Sequence, residues 1–218
     1  MKKCGWILGF ILYYCFCLPT LAHPHAFVEM KNKLLIEQDH LIGFRMQWIL
    51  DEASSSEMLY DLALSKNDPQ KKQAIADEIM QNVVAEHYFS YFYDKHQQPI
   101  KYLAKPQNYG ARADGHQIVY YFDFLLAKPQ LLKNNRFELT TYDPTYYVFM
   151  YYDLPNKPNI VQSAVDFSGL PSKCRGDIIE PDIDEQLKRY AQSLDKSQRD
   201  EDDTLGAQFA QKVMILCD

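Results

Sequence analysis

Between Ala26 and Leu50 the chain runs twice through an apolar/polar alternation, broken by the polar stretch Gln38-Asp39-His40. The first run, Ala26 to Ile36, alternates loosely. The second, Leu41 to Leu50, puts Phe44, Met46, Trp48 and Leu50 on alternate positions and so on one face of a strand. A β-hairpin with one apolar face is not stable alone and must be covered by a second layer. Helical segments follow. Asp51 precedes Glu52-Ala53-Ser54 and a helical pattern through Met58, Leu59 and Leu62. Asp68-Pro69 then places an N-cap residue before a proline at the first helical position. The spacing of Ile75, Ile79, Val83 and Phe89, with Ala76 and Val84 beside them, predicts an apolar stripe along this second helix.

From Pro99 the character changes to strands: Gln117 to Leu126, Phe137 to Tyr142 and Tyr146 to Tyr152, turned by Asn134-Asn135 and Asp143-Pro144. Ile160 to Phe167 and Cys174 to Ile179 are shorter candidates. Residues 182–195 suit a helix, Asp200-Glu201-Asp202-Asp203 is a charged break, and the chain closes with Leu205 to Phe209 and a strand from Val213 to Cys217. Strands with inserted helices, lacking a regular βαβ alternation, predict an α+β fold with a mostly antiparallel sheet in a single domain.

Lys2 and Lys3 precede an uncharged apolar run, Gly5 to Leu18, closed by Pro19-Thr20-Leu21-Ala22. This has the plan of a secretory signal cut after Ala22, which makes residues 1–22 a leader and 23–218 the periplasmic domain. A membrane anchor is the rival, but the run falls short of the roughly 20 residues a span needs. Lipidation at Cys15 or Cys17 is disfavoured by the bulky Tyr14 and Phe16 before them. Losing the leader removes two lysines and takes the formal charge from −6 to −8. No second long apolar stretch follows, so no direct membrane insertion is expected of the processed chain. The acidic balance disfavours nucleic acid as a partner. With eight glycines, and neither GxxxxGK[ST] nor GxGxxG, nucleotide chemistry is a poor fit. Only Cys174 and Cys217 remain after processing. In an oxidising compartment they most simply form one disulfide, closing a loop that stabilises by roughly 4 kcal/mol in the chain-entropy model. A two-thiolate metal site or a redox pair is the alternative, without CxxC spacing to support it.

His23-Pro24-His25 stands where cleavage would create a new N-terminus. Histidines at i and i+2 on an extended segment project to the same side, and neutral imidazole suits zinc, copper and nickel. A free amine on His23 would add a third donor. Pro24 has no N–H to lose, which removes the square-planar amino-terminal copper/nickel mode and leaves imidazole coordination completed from elsewhere. Tetrahedral zinc suits that arrangement, and a copper site using the amine is a further option. The plainer reading is a mobile terminus without a role. Two carboxylates are candidate partners, either as oxygen ligands or as acceptors for an imidazole: Asp51, and Asp143 in Tyr142-Asp143-Pro144-Thr145-Tyr146. Against ligation, Asp51 reads as a helix cap and Asp143 as the first residue of a proline turn.

His40 reads as a turn residue, His96 as a helix-end or loop residue and His87 as part of the long helix; His116 is isolated. Glu86-His87 lacks the second histidine of HExxH, and GxSxG is absent. Residues 195–203 lack the glycine and ligand pattern of a calcium loop. The tyrosines, including Tyr88, Tyr91 and Tyr93, suggest a carbohydrate platform less readily than sheet faces and core packing. No catalytic acid/base pair stands out.

A signal ending at His-Pro-His resembles a bacterial periplasmic family of unknown function, commonly labelled "ABC-type uncharacterised transport system, periplasmic component". The resemblance continues through Trp48-Ile49-Leu50-Asp51-Glu52 and Tyr142-Asp143-Pro144-Thr145-Tyr146-Tyr147-Val148. It ends with Cys174 and with Leu205-Gly206-Ala207-Gln208-Phe209-Ala210 leading to Cys217. It implies an accessory to a nickel/cobalt-type inner-membrane permease, with zinc uptake the leading theme, and no established enzymatic activity. Members often carry a calcium-loop-like segment after the first helix. Here Leu64-Ser65-Lys66-Asn67-Asp68-Pro69 is too poor in carboxylates for one. The expectation is a metal-binding accessory with His23 and His25 as ligands. The alternatives are a copper-dependent oxidative enzyme using His23, or a non-metal scaffold of the transporter.

Overall fold

The computed structural model describes residues 24–154, 164–194 and 204–218. The expected leader (residues 1–22), His23 and Asp200-Glu201-Asp202-Asp203 lie outside them. Strands β1 (Ala26–Glu37) and β2 (His40–Leu50) form the expected hairpin. Gln38 and Asp39 both take positive φ, the geometry of a tight turn whose twist matches that of the strands. Val28, Met30, Asn32 and Leu34 of β1 point inward, as do Phe44, Met46 and Trp48 of β2.

Helices α1 (Glu52–Leu64) and α2 (Pro69–Ala85) come next. Asp51 caps α1, and Asp68 caps α2 by accepting from the Gln70 N–H at 2.9 Å. The buried face of α2 is Ala76, Met80 and Val83, one position round from the Ile75–Ile79 stripe that the spacing predicts, and Ile75 and Ile79 are half-buried. The helix also stops earlier than expected: Glu86 is its C-cap, and His87, Tyr88 and Phe89 turn left-handed with φ of 52°, 59° and 49°. His87 is therefore a turn residue and not a helical one. Strand β3 (Ser90–Tyr93) follows at once.

The remaining strands are β4 (Gln107–Asp114), β5 (Gln117–Leu131), β6 (Arg136–Thr141), β7 (Val148–Tyr151), β8 (Val165–Asp166), β9 (Cys174–Ile179) and β10 (Lys212–Cys217). Helices α3 (Glu185–Ser193) and α4 (Leu205–Phe209) complete the described elements. One sheet runs β4-β5-β2-β1-β7 with β8 also on β1; the other runs β3-β6-β10-β9. The fold is mixed α+β in a single domain, as expected. The sheets are mostly antiparallel, as expected, with two parallel pairings where β7 and β8 join β1.

The inner faces of the sheets meet in one aromatic core. Phe44 stands edge-on to Phe92 at 5.1 Å, and Phe92 stacks on Phe137 at 5.5 Å. Ser55 stitches α1 to the first sheet: its hydroxyl donates to the Leu50 carbonyl and accepts the Ile118 N–H. Cys174 and Cys217, opposite one another on β9 and β10, form the expected disulfide. No helix among the described residues is long and apolar enough to cross a membrane.

Candidate functional site

The start of β1 gathers residues from four distant stretches of sequence. On one side lies the end of β2. The Asp51 Oδ2 accepts the Phe27 N–H at 2.7 Å, and the Asp51 N–H donates back to the Phe27 carbonyl at 3.0 Å. The same carboxylate caps α1, accepting from the Ser54 N–H and from the Ser54 hydroxyl, each at 2.8 Å. Partial burial pushes the Asp51 carboxyl up. The bonds from the Ser54 N–H, the Phe27 N–H and the Ser54 hydroxyl outweigh that and hold it below the usual carboxylate range. Asp51 is thus the helix cap of the plainer reading, with a second bond that fixes the entry into β1.

On the other side lies the segment before β7. The Tyr147 carbonyl accepts the N–H groups of His25 at 2.9 Å and Ala26 at 3.3 Å. The Tyr147 ring lies against the His25 imidazole with centroids 4.8 Å apart. Asp143 organises this segment from within. Its Oδ1 takes the Thr145 N–H and hydroxyl, and its Oδ2 takes the Val148 N–H at 2.9 Å. These bonds fold the chain back sharply enough to hold Tyr146 at a φ of 57°. The strand therefore begins at Val148, two residues later than the alternation predicts.

Behind this corner, Tyr146 stacks on Phe209 at 4.3 Å in a small apolar cluster with Leu205, Ala191 and Leu194. The Gly206 N–H donates to the Pro144 carbonyl, and a Cβ on Gly206 would overlap the Asp143 carbonyl oxygen, so only glycine fits. Gln211 locks the far end of β7, accepting the Tyr152 N–H and donating to the Tyr152 carbonyl. Burial pushes the hydroxyls of Tyr142 and Tyr146 up to about 12, so neither offers a phenolate to an ion near neutral pH.

Of the expected ligands, His25, Asp51 and Asp143 arrive at this one end of β1, while His23 lies outside the described residues. Both carboxylates already serve protein donors on each oxygen. No three His, Cys, Asp or Glu side chains among the described residues are grouped to hold an ion. His40 bonds the Gln38 carbonyl, and His87, His96 and His116 are exposed and far apart in the fold. The exposed rings beside His25 are Phe27 at 44% and Tyr147 at 48%; the sequence reading gave no role to Phe27 and quoted Tyr147 only within the resemblance. Their only signal was the alternation on β1 and β7, which places His25 with Phe27, and Tyr147 with Phe149, on the outer face.

The stretches that meet at this corner coincide with those that carried the resemblance. No solved structure matches the chain. A Haemophilus influenzae protein described as an uncharacterized protein is 48% identical over 218 residues, the full length of both chains. The profile of the family described as "Protein of unknown function (DUF1007)" matches residues 8–217, and the chain belongs to that family.

Proposed function

We propose that this chain is an exported metal-binding accessory that serves an inner-membrane permease in the uptake or homeostasis of a divalent transition metal. Zinc is the first choice; nickel and cobalt follow. The observation that supports this reading is the anchoring of His25. Its backbone is pinned through the Tyr147 carbonyl, and the residue two further on is held by Asp51. This anchoring fixes the backbone of one of the two histidines, support that a terminus without function does not need. His23 and His25 supply two imidazoles, and processing after Ala22 adds the His23 amine. Pro24 keeps the backbone out of the coordination.

Asp51 and Asp143 act as positioning residues, each holding the segment that flanks the histidines. A site of two or three donors leaves a coordination position open, which suits an ion that must be passed on; closed four-ligand sites are structural. The exposed Phe27 and Tyr147 rings give a permease an apolar contact beside the ion. The link to a permease rests on the family resemblance and on this rim.

Calorimetric titration of the processed chain with zinc tests the reading. Replacing both His23 and His25 with Ala abolishes tight binding with the circular dichroism unchanged, and Asp51→Ala weakens it roughly tenfold. An unchanged zinc affinity in the double variant would sink the proposal.

A further inference from the structure

A second feature lies away from the start of β1 and is independent of the metal reading. A cavity of about 590 Å³ opens between the end of α2, β3 and the segment from Pro99 to Ala104. That volume falls within the roughly 300–1,000 Å³ of small-molecule sites. Its walls are mostly apolar and aromatic, with Val84, Ile100 and the rings of Tyr88 and Tyr102 among them. Three observations separate it from an accidental gap.

First, one wall is the left-handed turn His87-Tyr88-Phe89. Three consecutive non-glycine residues at positive φ cost roughly 1 kcal/mol each and persist only where the surroundings enforce them. Tyr88 enforces the turn: its ring stacks on Phe124 at 5.1 Å and its hydroxyl donates to the Leu103 carbonyl at 2.9 Å. Second, the Tyr102 hydroxyl oxygen is buried and has no hydrogen-bond partner among the described residues. A buried hydroxyl left this way costs about 1–3 kcal/mol, so this wall is not optimised for stability alone. Third, the basic side chains on the walls are Lys101 and His87, both exposed, and no carboxylate among the described residues lines the cavity.

We propose that this cavity binds a small, planar, largely apolar anion, with its ring system between Tyr88, Tyr102 and Val84 and its acidic group at the mouth beside Lys101 and His87. The aromatic walls take the flat body, and the Lys101 ammonium at the rim favours the charge.

Anilinonaphthalene sulfonate, a planar aromatic anion that fluoresces in apolar surroundings, is the probe, used with the full processed chain in its folded state. The expected result is saturable binding of one dye per chain. Lys101→Glu, an exposed change that leaves the fold intact, weakens binding roughly fivefold. Val84→Trp fills the cavity and removes binding. The uncharged parent phenylnaphthylamine binds more weakly than the sulfonate. Absence of saturable binding, or binding unchanged in both Lys101→Glu and Val84→Trp, overturns the site. Phenylnaphthylamine binding as tightly as the sulfonate overturns its assignment to an anion.

Discussion

The corner at the start of β1 and the cavity at the end of α2 both rest on non-glycine residues at positive φ, yet they treat their polar groups in opposite ways. At the corner, Asp143 meets the Thr145 and Val148 amides and Asp51 meets those of Phe27 and Ser54, so the conformation is held by hydrogen bonds within the chain. At the cavity, the left-handed turn is held by ring packing together with the Tyr88 hydroxyl's bond to the Leu103 carbonyl, and the Tyr102 hydroxyl has no protein partner among the described residues. The acidic side chains of the family resemblance are therefore bonded framework at the start of β1, while the orphaned hydroxyl lies in a wall that no motif marked. A buried polar group that is fully bonded stabilises; one that is not carries a cost.

Substitutions can break or sharpen this contrast. The largest effect is expected at Gly206, where Gly206→Ala forces a methyl against the Asp143 carbonyl and costs about 3 kcal/mol in urea unfolding. Asp143→Ala strands the Val148 and Thr145 amides inside a buried turn and costs about 2 kcal/mol by the same measurement. Asp51→Ala removes a helix cap and the bond to Phe27, for about 1–2 kcal/mol near neutral pH. This last difference carries its own pH signature. The folded carboxyl titrates below the unfolded value of about 3.9, so the stabilisation is full above that pH and fades as pH falls through the lower folded value. Urea curves of the wild type and Asp51→Ala should converge under acid. The smallest loss belongs to the cavity: Tyr102→Phe deletes a buried hydroxyl without a partner among the described residues, so it should cost no stability and return up to about 1–3 kcal/mol. A loss at Tyr102 as large as that at Asp143 would erase the distinction.

Local signals account for what the sequence made legible. The β1–β2 hairpin follows from alternation around a polar turn, and both helix starts follow from Asp51 and Asp68 acting as caps. The Cys174–Cys217 bond follows from there being no third cysteine after residue 22. What stayed hidden depends on distant partners. Strand β4 is an edge strand with Gly110 its one buried residue, so it shows no alternation. The parallel pairing of β7 with β1 leaves no trace in spacing, yet it brings Tyr147 to His25. The helical spacing of Val83, Val84 and Phe89 imitates a continuing helix, and nothing in His87-Tyr88-Phe89 announces a reversal without glycine. At the candidate site, residue types suggested the ligands and the resemblance suggested the neighbourhood. The capping role of Asp51 was legible as a cap, but its second bond to Phe27 was not, because that bond spans 24 residues.

The central claim is that His23 and His25 carry a metal on a processed terminus. Metal content and intact mass, measured on chain exported to the periplasm and purified without tags or chelators, test it most directly. About one zinc, nickel or cobalt ion per chain beginning at His23 is the predicted result. A chain beginning at His23 that holds no metal, and takes up none on titration, would contradict it.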